Sequence, residues 1–77
     1  AARRLSEKDR RELEAIPGRI EALEAEQAML HAGMADPAFY RRSPEMIAGA
    51  KGRAATLAGE IEKAYARWAQ LEPAQTD

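Results

Sequence analysis

The cations of this chain gather at two places. Arg3, Arg4, Lys8, Arg10 and Arg11 lie near its start, and Arg41, Arg42, Lys51 and Arg53 lie around its middle. Between them Glu14, Glu21, Glu24 and Glu26 face a single Arg19. A uniformly solvated helical face intersperses the two signs, so the segregation points to cations presented together. Contact with a phosphate backbone requires that arrangement. Phe39 and Tyr40 directly precede Arg41 and Arg42, and an aromatic beside arginines can stack on an exposed base. The candidate nucleic-acid-binding residues are therefore Lys8, Arg10, Arg11, Arg41, Arg42, Lys51 and Arg53. Two plainer readings compete. Lysines and arginines also flank glutamates for solubility and intrahelical pairing. The aromatics can instead close the end of the fold, with Phe39 packed under a loop against Met34 and Ile47 and Tyr40 exposed.

No other chemistry is legible. There is no Gly-rich phosphate loop, nucleophile elbow or HExxH pair, and carboxylates on an open rod stay too solvated for acid–base work. No catalytic residue is assigned, and no enzyme is expected. His31 is the single histidine and there is no cysteine, so no metal site is expected and His31 is placed on a solvated flank. The absence of cysteine suits a reducing cytoplasm. No apolar run reaches the roughly 20 residues of a membrane span. The net charge of −1 gives no global attraction to nucleic acid, so any such case rests on local clusters.

Two apolar stripes define the helices on which these groups are carried. Leu13, Ile16, Ile20, Leu23, Gln27, Leu30 and Met34 recur at steps of three and four, as do Ile47, Ala50, Ala54, Leu57, Ile61, Ala64, Trp68 and Leu71. That spacing holds one helical stripe against a partner. Folding the chain back between the stripes pairs Met34 with Ile47, Gln27 with Ala54, Leu23 with Leu57, Ile16 with Ala64 and Leu13 with Trp68. Every pair of numbers sums to 80 or 81, so one register serves the whole length. The fold class is all-α, an antiparallel two-helix coiled-coil hairpin, expected to be monomeric. Gln27, facing Ala54, fixes register at some cost in stability. Tyr65 and Trp68, with Leu13, are expected to cap the seam at the open end.

Local signals set the boundaries. Residues 1–5 read as a linker end, 6–72 as the hairpin and 73–77 as a disordered tail. Ser6 is the expected N-cap of the first helix, with Asp9 in the capping-box position. Pro17 lacks an N–H and crowds the carbonyl one turn back, so the first helix is expected to kink or break, giving segments 7–16 and 17–35. Because the stripe keeps phase through the proline, a kink is favoured over a full break. Asp36-Pro37 opens a tip at 36–43, and Ser43-Pro44-Glu45 caps a last helix at 44–72 that Pro73 is expected to stop. Gly49, Gly52 and Gly59 inside it either let the helices approach closely or mark exposed positions of no consequence.

Three stretches resemble one family. Leu5-Ser6-Glu7-Lys8-Asp9-Arg10-Arg11-Glu12-Leu13-Glu14-Ala15-Ile16-Pro17, then Ile20-Glu21-Ala22-Leu23-Glu24, is similar to the opening of the coiled-coil domain that closes ABC-F ATPases of the Uup type. Asp36-Pro37-Ala38-Phe39-Tyr40 resembles that domain's tip, and Tyr65-Ala66-Arg67-Trp68-Ala69-Gln70-Leu71-Glu72 its close. Glu7 stands where the family often has an aromatic, and the three glycines of the last helix are uncharacteristic. The C-terminal hairpin of valyl-tRNA synthetase also has an acid, an aromatic and a proline at its tip, but the opening and closing motifs favour the ABC-F resemblance. The resemblance implies a cytoplasmic parent with two ATP-binding cassettes and no membrane domain. ATP and Mg would belong to those cassettes, with no cofactor in this domain. It also implies a non-catalytic C-terminal appendage that binds nucleic acid, DNA first and rRNA or tRNA next, with Lys8, Arg11 and Arg41 matching the basic part of the family motif. The alternative is a structural or regulatory arm that docks on the cassettes of the same chain or on the ribosome or tRNA.

Overall fold

A computed structural model describes residues 5–76, with side chains described as far as residue 72. Helix α1 spans Glu7–Ala35, a short 3-10 helix spans Pro37–Arg41, and helix α2 spans Pro44–Thr76. The two long helices fold back on each other as an all-α hairpin measuring 58 × 16 × 16 Å.

The ends of these elements are built by the expected side chains. Ser6 Oγ accepts from the Asp9 N–H at 3.0 Å, and Asp36 Oδ1 accepts from the Ala38 N–H at 2.9 Å. Ser43 Oγ accepts from the Met46 N–H at 3.2 Å. Each bond occupies a donor that the first turn of a helix leaves without a partner.

The two stripes form the seam. Leu13, Ile16, Ile20 and Leu23 of α1 are buried, as are Leu57, Ala64 and Leu71 of α2, and Leu57 is fully enclosed. Gln27, Leu30, Met34, Ile47, Ala50, Ala54, Ile61 and Trp68 are half-buried. Leu13, Ile16, Ile20, Ala64 and Leu71 form one cluster at the open end, with Leu5 and Trp68 packed against it. Leu5 therefore belongs to the packed hairpin and not to the linker end; residues 1–4 lie outside the described residues.

The prolines interrupt the helices less than expected. Helix α1 is one element through Pro17, as the unbroken phase of the stripe favoured, so the alternative of a full break into segments 7–16 and 17–35 is corrected. An interior proline costs a helix about 3 kcal/mol, but Leu13 and Ile16 before it and Ile20 after it are buried in the same cluster. Breaking the helix would take one side of that set off the seam, and packing outweighs local propensity. Helix α2 likewise runs through Pro73 to Thr76. The proline's φ is compatible with a helix. Ala69, whose carbonyl Pro73 leaves without a donor, is exposed, so water can supply the missing bond. Of the expected disordered tail, Asp77 lies outside the described residues.

The glycines do not bring the helices together. A β-carbon placed on Gly49, Gly52 or Gly59 meets no neighbouring atom within 4 Å. Tyr65 is also corrected: it is 45% exposed and lies off the seam. Its ring stacks on Trp68 at 6.3 Å between centroids, and its hydroxyl donates to Glu24 at 3.0 Å.

Candidate nucleic-acid interface

The hairpin separates the two basic clusters. At about 1.5 Å per residue, roughly 36 Å of helix lies between Arg11 and the end of α1, so base and tip are distinct surfaces.

At the base the cations meet acids. Arg10 and Arg11 both pair with Glu7, Arg11 Nε at 3.2 Å. Lys8 is exposed and enters no ion pair among the described residues. Arg3 and Arg4 lie outside the described residues. Arg67, not among the candidates from sequence, lies here. Its Nε donates to Glu12 Oε2 at 2.7 Å and its second guanidinium nitrogen to Glu12 Oε1 at 3.0 Å. The same nitrogen reaches Asp9 at 3.2 Å. These hydrogen bonds hold the Glu12 carboxyl below its ordinary value; partial desolvation opposes them, and the Arg67 charge adds to them. Arg67 thus ties the start of α1 to the end of α2. A groove on this flank, floored by Ile16 and Ala64 and rimmed by Arg19, Glu60 and Lys63, carries charges of both signs and gives phosphate no preference.

Toward the tip, Arg53 makes a second tie of the same kind. It grips Glu26 with two hydrogen bonds, at 2.7 and 2.8 Å. These bonds pull the Glu26 carboxyl below its ordinary value against partial desolvation, and the Arg53 charge helps. The planar fork of arginine suits such two-point contact with a carboxylate. Both ties join residues whose numbers sum to 79, since 12 and 67, like 26 and 53, flank the seam at 80 or 81. The register read from the apolar stripes therefore contained both pairs, since each of the four residues directly precedes a stripe position and so shares one flank of the seam.

The tip itself is different. Phe39 is 3% exposed and anchors the 3-10 helix, whereas Tyr40 is 65% exposed. The two rings meet edge to face at 5.1 Å and 85°. Lys51, from the first turns of α2, places its ammonium 5.8 Å from the centre of the Tyr40 ring, within range of a cation–π contact. Arg41 and Arg42 are exposed. None of the ion pairs among the described residues involves Arg41, Arg42 or Lys51. The fold thus gathers Tyr40, Arg41, Arg42 and Lys51 at one end and commits Arg53 to Glu26. Among the described residues no cluster of acids or histidine is arranged to hold a metal ion, and no helix is long and apolar enough to cross a membrane.

Comparison with known proteins bears on this architecture. A family model described as the ABC transporter C-terminal domain matches residues 4–73. The ATP-binding protein Uup of Haemophilus influenzae is 38% identical over 69 residues, covering 90% of this chain and 11% of that protein. A Uup-like ATP-binding protein of the same organism is 38% identical, with 90% of this chain and 15% of the relative covered. Uup of Escherichia coli is 36% identical over 90% of this chain and 11% of its own length. The chain therefore spans between 11% and 15% of the length of these relatives. No solved structure matches it. The matching family is a C-terminal domain and not a catalytic cassette, and the domain is non-catalytic. On the match over residues 4–73, the chain belongs to the ABC transporter C-terminal domain family, in a form similar to that of the Uup-type proteins.

Proposed function

We propose that the hairpin is a nucleic-acid-binding appendage of a cytoplasmic ABC-F ATPase, DNA being the favoured ligand, and that it grips the phosphate backbone with clustered cations. The parent's cassettes would hold ATP and Mg. One observation carries the reading: Arg41, Arg42 and Lys51 stand exposed at the tip beside an exposed Tyr40 and enter no ion pair among the described residues. Cations already matched to carboxylates have less to gain from phosphate, so the tip is the stronger of the two candidate surfaces. At the base, Lys8 is the cation best placed to join, with Arg10 and Arg11 sharing Glu7.

The test is an amide-resolved NMR titration with short duplex DNA and structured RNA at low and physiological salt. Three cations engaging phosphate should give a slope of log affinity against log salt of roughly −2.7 on duplex DNA. The shifts should cluster at residues 40–53. Reversing Arg41, Arg42 and Lys51 to glutamate should abolish binding and leave the helical circular dichroism intact. Binding that survives this reversal and a second one at Lys8, Arg10 and Arg11 would refute the electrostatic account.

A second reading is an arm that docks on the ATPase cassettes, on the ribosome or on tRNA. For the cassettes it is supported by the groove between Ile16 and Ala64, whose mixed rim charges suit a protein surface better than phosphate. Absence of salt-sensitive shifts with nucleic acid, together with affinity for separated cassettes, would establish it.

A further inference from the structure

Resting on the nucleic-acid reading above, we propose that Tyr40 is a stacking platform for an unpaired base, so that the tip prefers single-stranded nucleic acid to an uninterrupted duplex.

Tyr40 is the most exposed aromatic of the described residues at 65%, and it follows directly on the buried Phe39. Buried Phe39 fixes the 3-10 helix, the Asp36 carboxylate caps it at Ala38, and the Arg42 N–H donates to the Phe39 carbonyl at 3.2 Å. Phe39 meets the Tyr40 ring edge to face, so the ring is oriented by a neighbour that is itself immobilised in the core. A phenol exposed only for solubility needs no such support. Cations neighbour it: Lys51 approaches the ring from α2, and Arg41 and Arg42 follow directly in the chain, both exposed. An aromatic face with cations around it offers a base a surface to stack on and the flanking phosphates their counter-charges. Within a duplex the base faces are occupied by stacked neighbours, and only phosphates remain for the tip. A single strand presents both. The ammonium of Lys51 sits on a flexible stem, so it can leave the ring for a phosphate when a base arrives.

The probes are a 12-nucleotide single strand carrying 2-aminopurine at its centre, in deoxy and ribo forms, and a 12-base-pair duplex. Stacking on Tyr40 should quench 2-aminopurine fluorescence on binding. Tyr40→Ala should weaken single-strand binding by about fivefold or more, the scale of one lost base–aromatic stack. It should leave duplex binding within about twofold and the circular dichroism unchanged. Tyr40→Phe, which keeps the aromatic face, should behave as the parent chain. Comparison of the two oligonucleotide forms assigns the strand to DNA or RNA. If the single strand binds without quenching, or if Tyr40→Ala weakens strand and duplex equally, the stacking role is overturned and nucleic-acid binding stands. If none of the probes binds at low salt, the reading on which this inference rests fails as well.

Discussion

Replacing Gly49, Gly52 and Gly59 together by alanine should stabilise the hairpin. All three lie inside α2, and no glycine among the described residues has a positive φ. A β-carbon at each meets open space, so alanine introduces no clash. What remains is the backbone entropy that glycine loses on entering a helix, worth about 0.4–1 kcal/mol per substitution. Small side chains at these positions do not interfere with one another, so the three should sum to roughly 1.2–3 kcal/mol. For a chain of this length each kcal/mol moves Tm by about 4–8 °C, which places the expected rise on the order of 10 °C. Thermal unfolding followed by circular dichroism reads it directly. Urea unfolding followed by the fluorescence of half-buried Trp68 should show a higher midpoint at an unchanged slope. A lower Tm would mean that the helices need the glycines for contact, and an unchanged one that helix propensity does not limit stability. Either result would contradict a purely conformational role for these glycines.

Other outcomes follow from the seam and its ties. Leu57 is fully enclosed, so Leu57→Ala should cost about 2–5 kcal/mol, whereas Met29→Ala, at a 78% exposed position, should stay within about 0.5 kcal/mol; equal urea midpoints would contradict the burial. Arg67 and Arg53 hold the Glu12 and Glu26 carboxyls below their ordinary value of 4.5. The stability those pairs contribute is therefore complete above that pH and is lost as pH falls through the lower folded values. Tm should stay level from pH 7 to about 5 and decline below 4.5, and a Glu12→Gln, Glu26→Gln variant should show a shallower decline. Tyr65 runs the other way, since its hydrogen bond to Glu24 raises it above 10.0. That contribution is full below pH 10 and fades as pH rises through the folded value, which Tyr65→Phe should abolish. Glu26→Ala should release Arg53 toward the tip, steepening the salt dependence of DNA binding by about 0.9 while lowering Tm; an unchanged slope would show that Arg53 takes no part.

The hairpin and its register were legible in the order of residues alone. Residues spaced three and four apart can share a face only in a helix, and two such stripes of matching length leave one antiparallel pairing that buries both. So were the caps at Ser6, Asp36 and Ser43, because a short polar side chain next to a helix start finds its acceptor role within three residues. Phe39 in and Tyr40 out was legible because the open end of the hairpin needs one apolar ring to close it. The unbroken phase of the stripe favoured continuity through Pro17, but the energy that enforces it comes from Leu13, Ile16 and Ile20 together, and only once α2 lies against them. The run of α2 through Pro73 was not legible. A count of residue types could not tell matched cations from unmatched ones, although the register could. Arg53 and Arg67 look like Arg41 and Arg42 in a composition count, but the flank of the seam on which each projects gives the first two a carboxylate across the helices. The second pair, at the turn, has no opposite helix to meet. Tyr65 lies off the seam on a flank where Glu24 offers its hydroxyl a partner, and the rotamer that brings the two together is decided only when the helices pack.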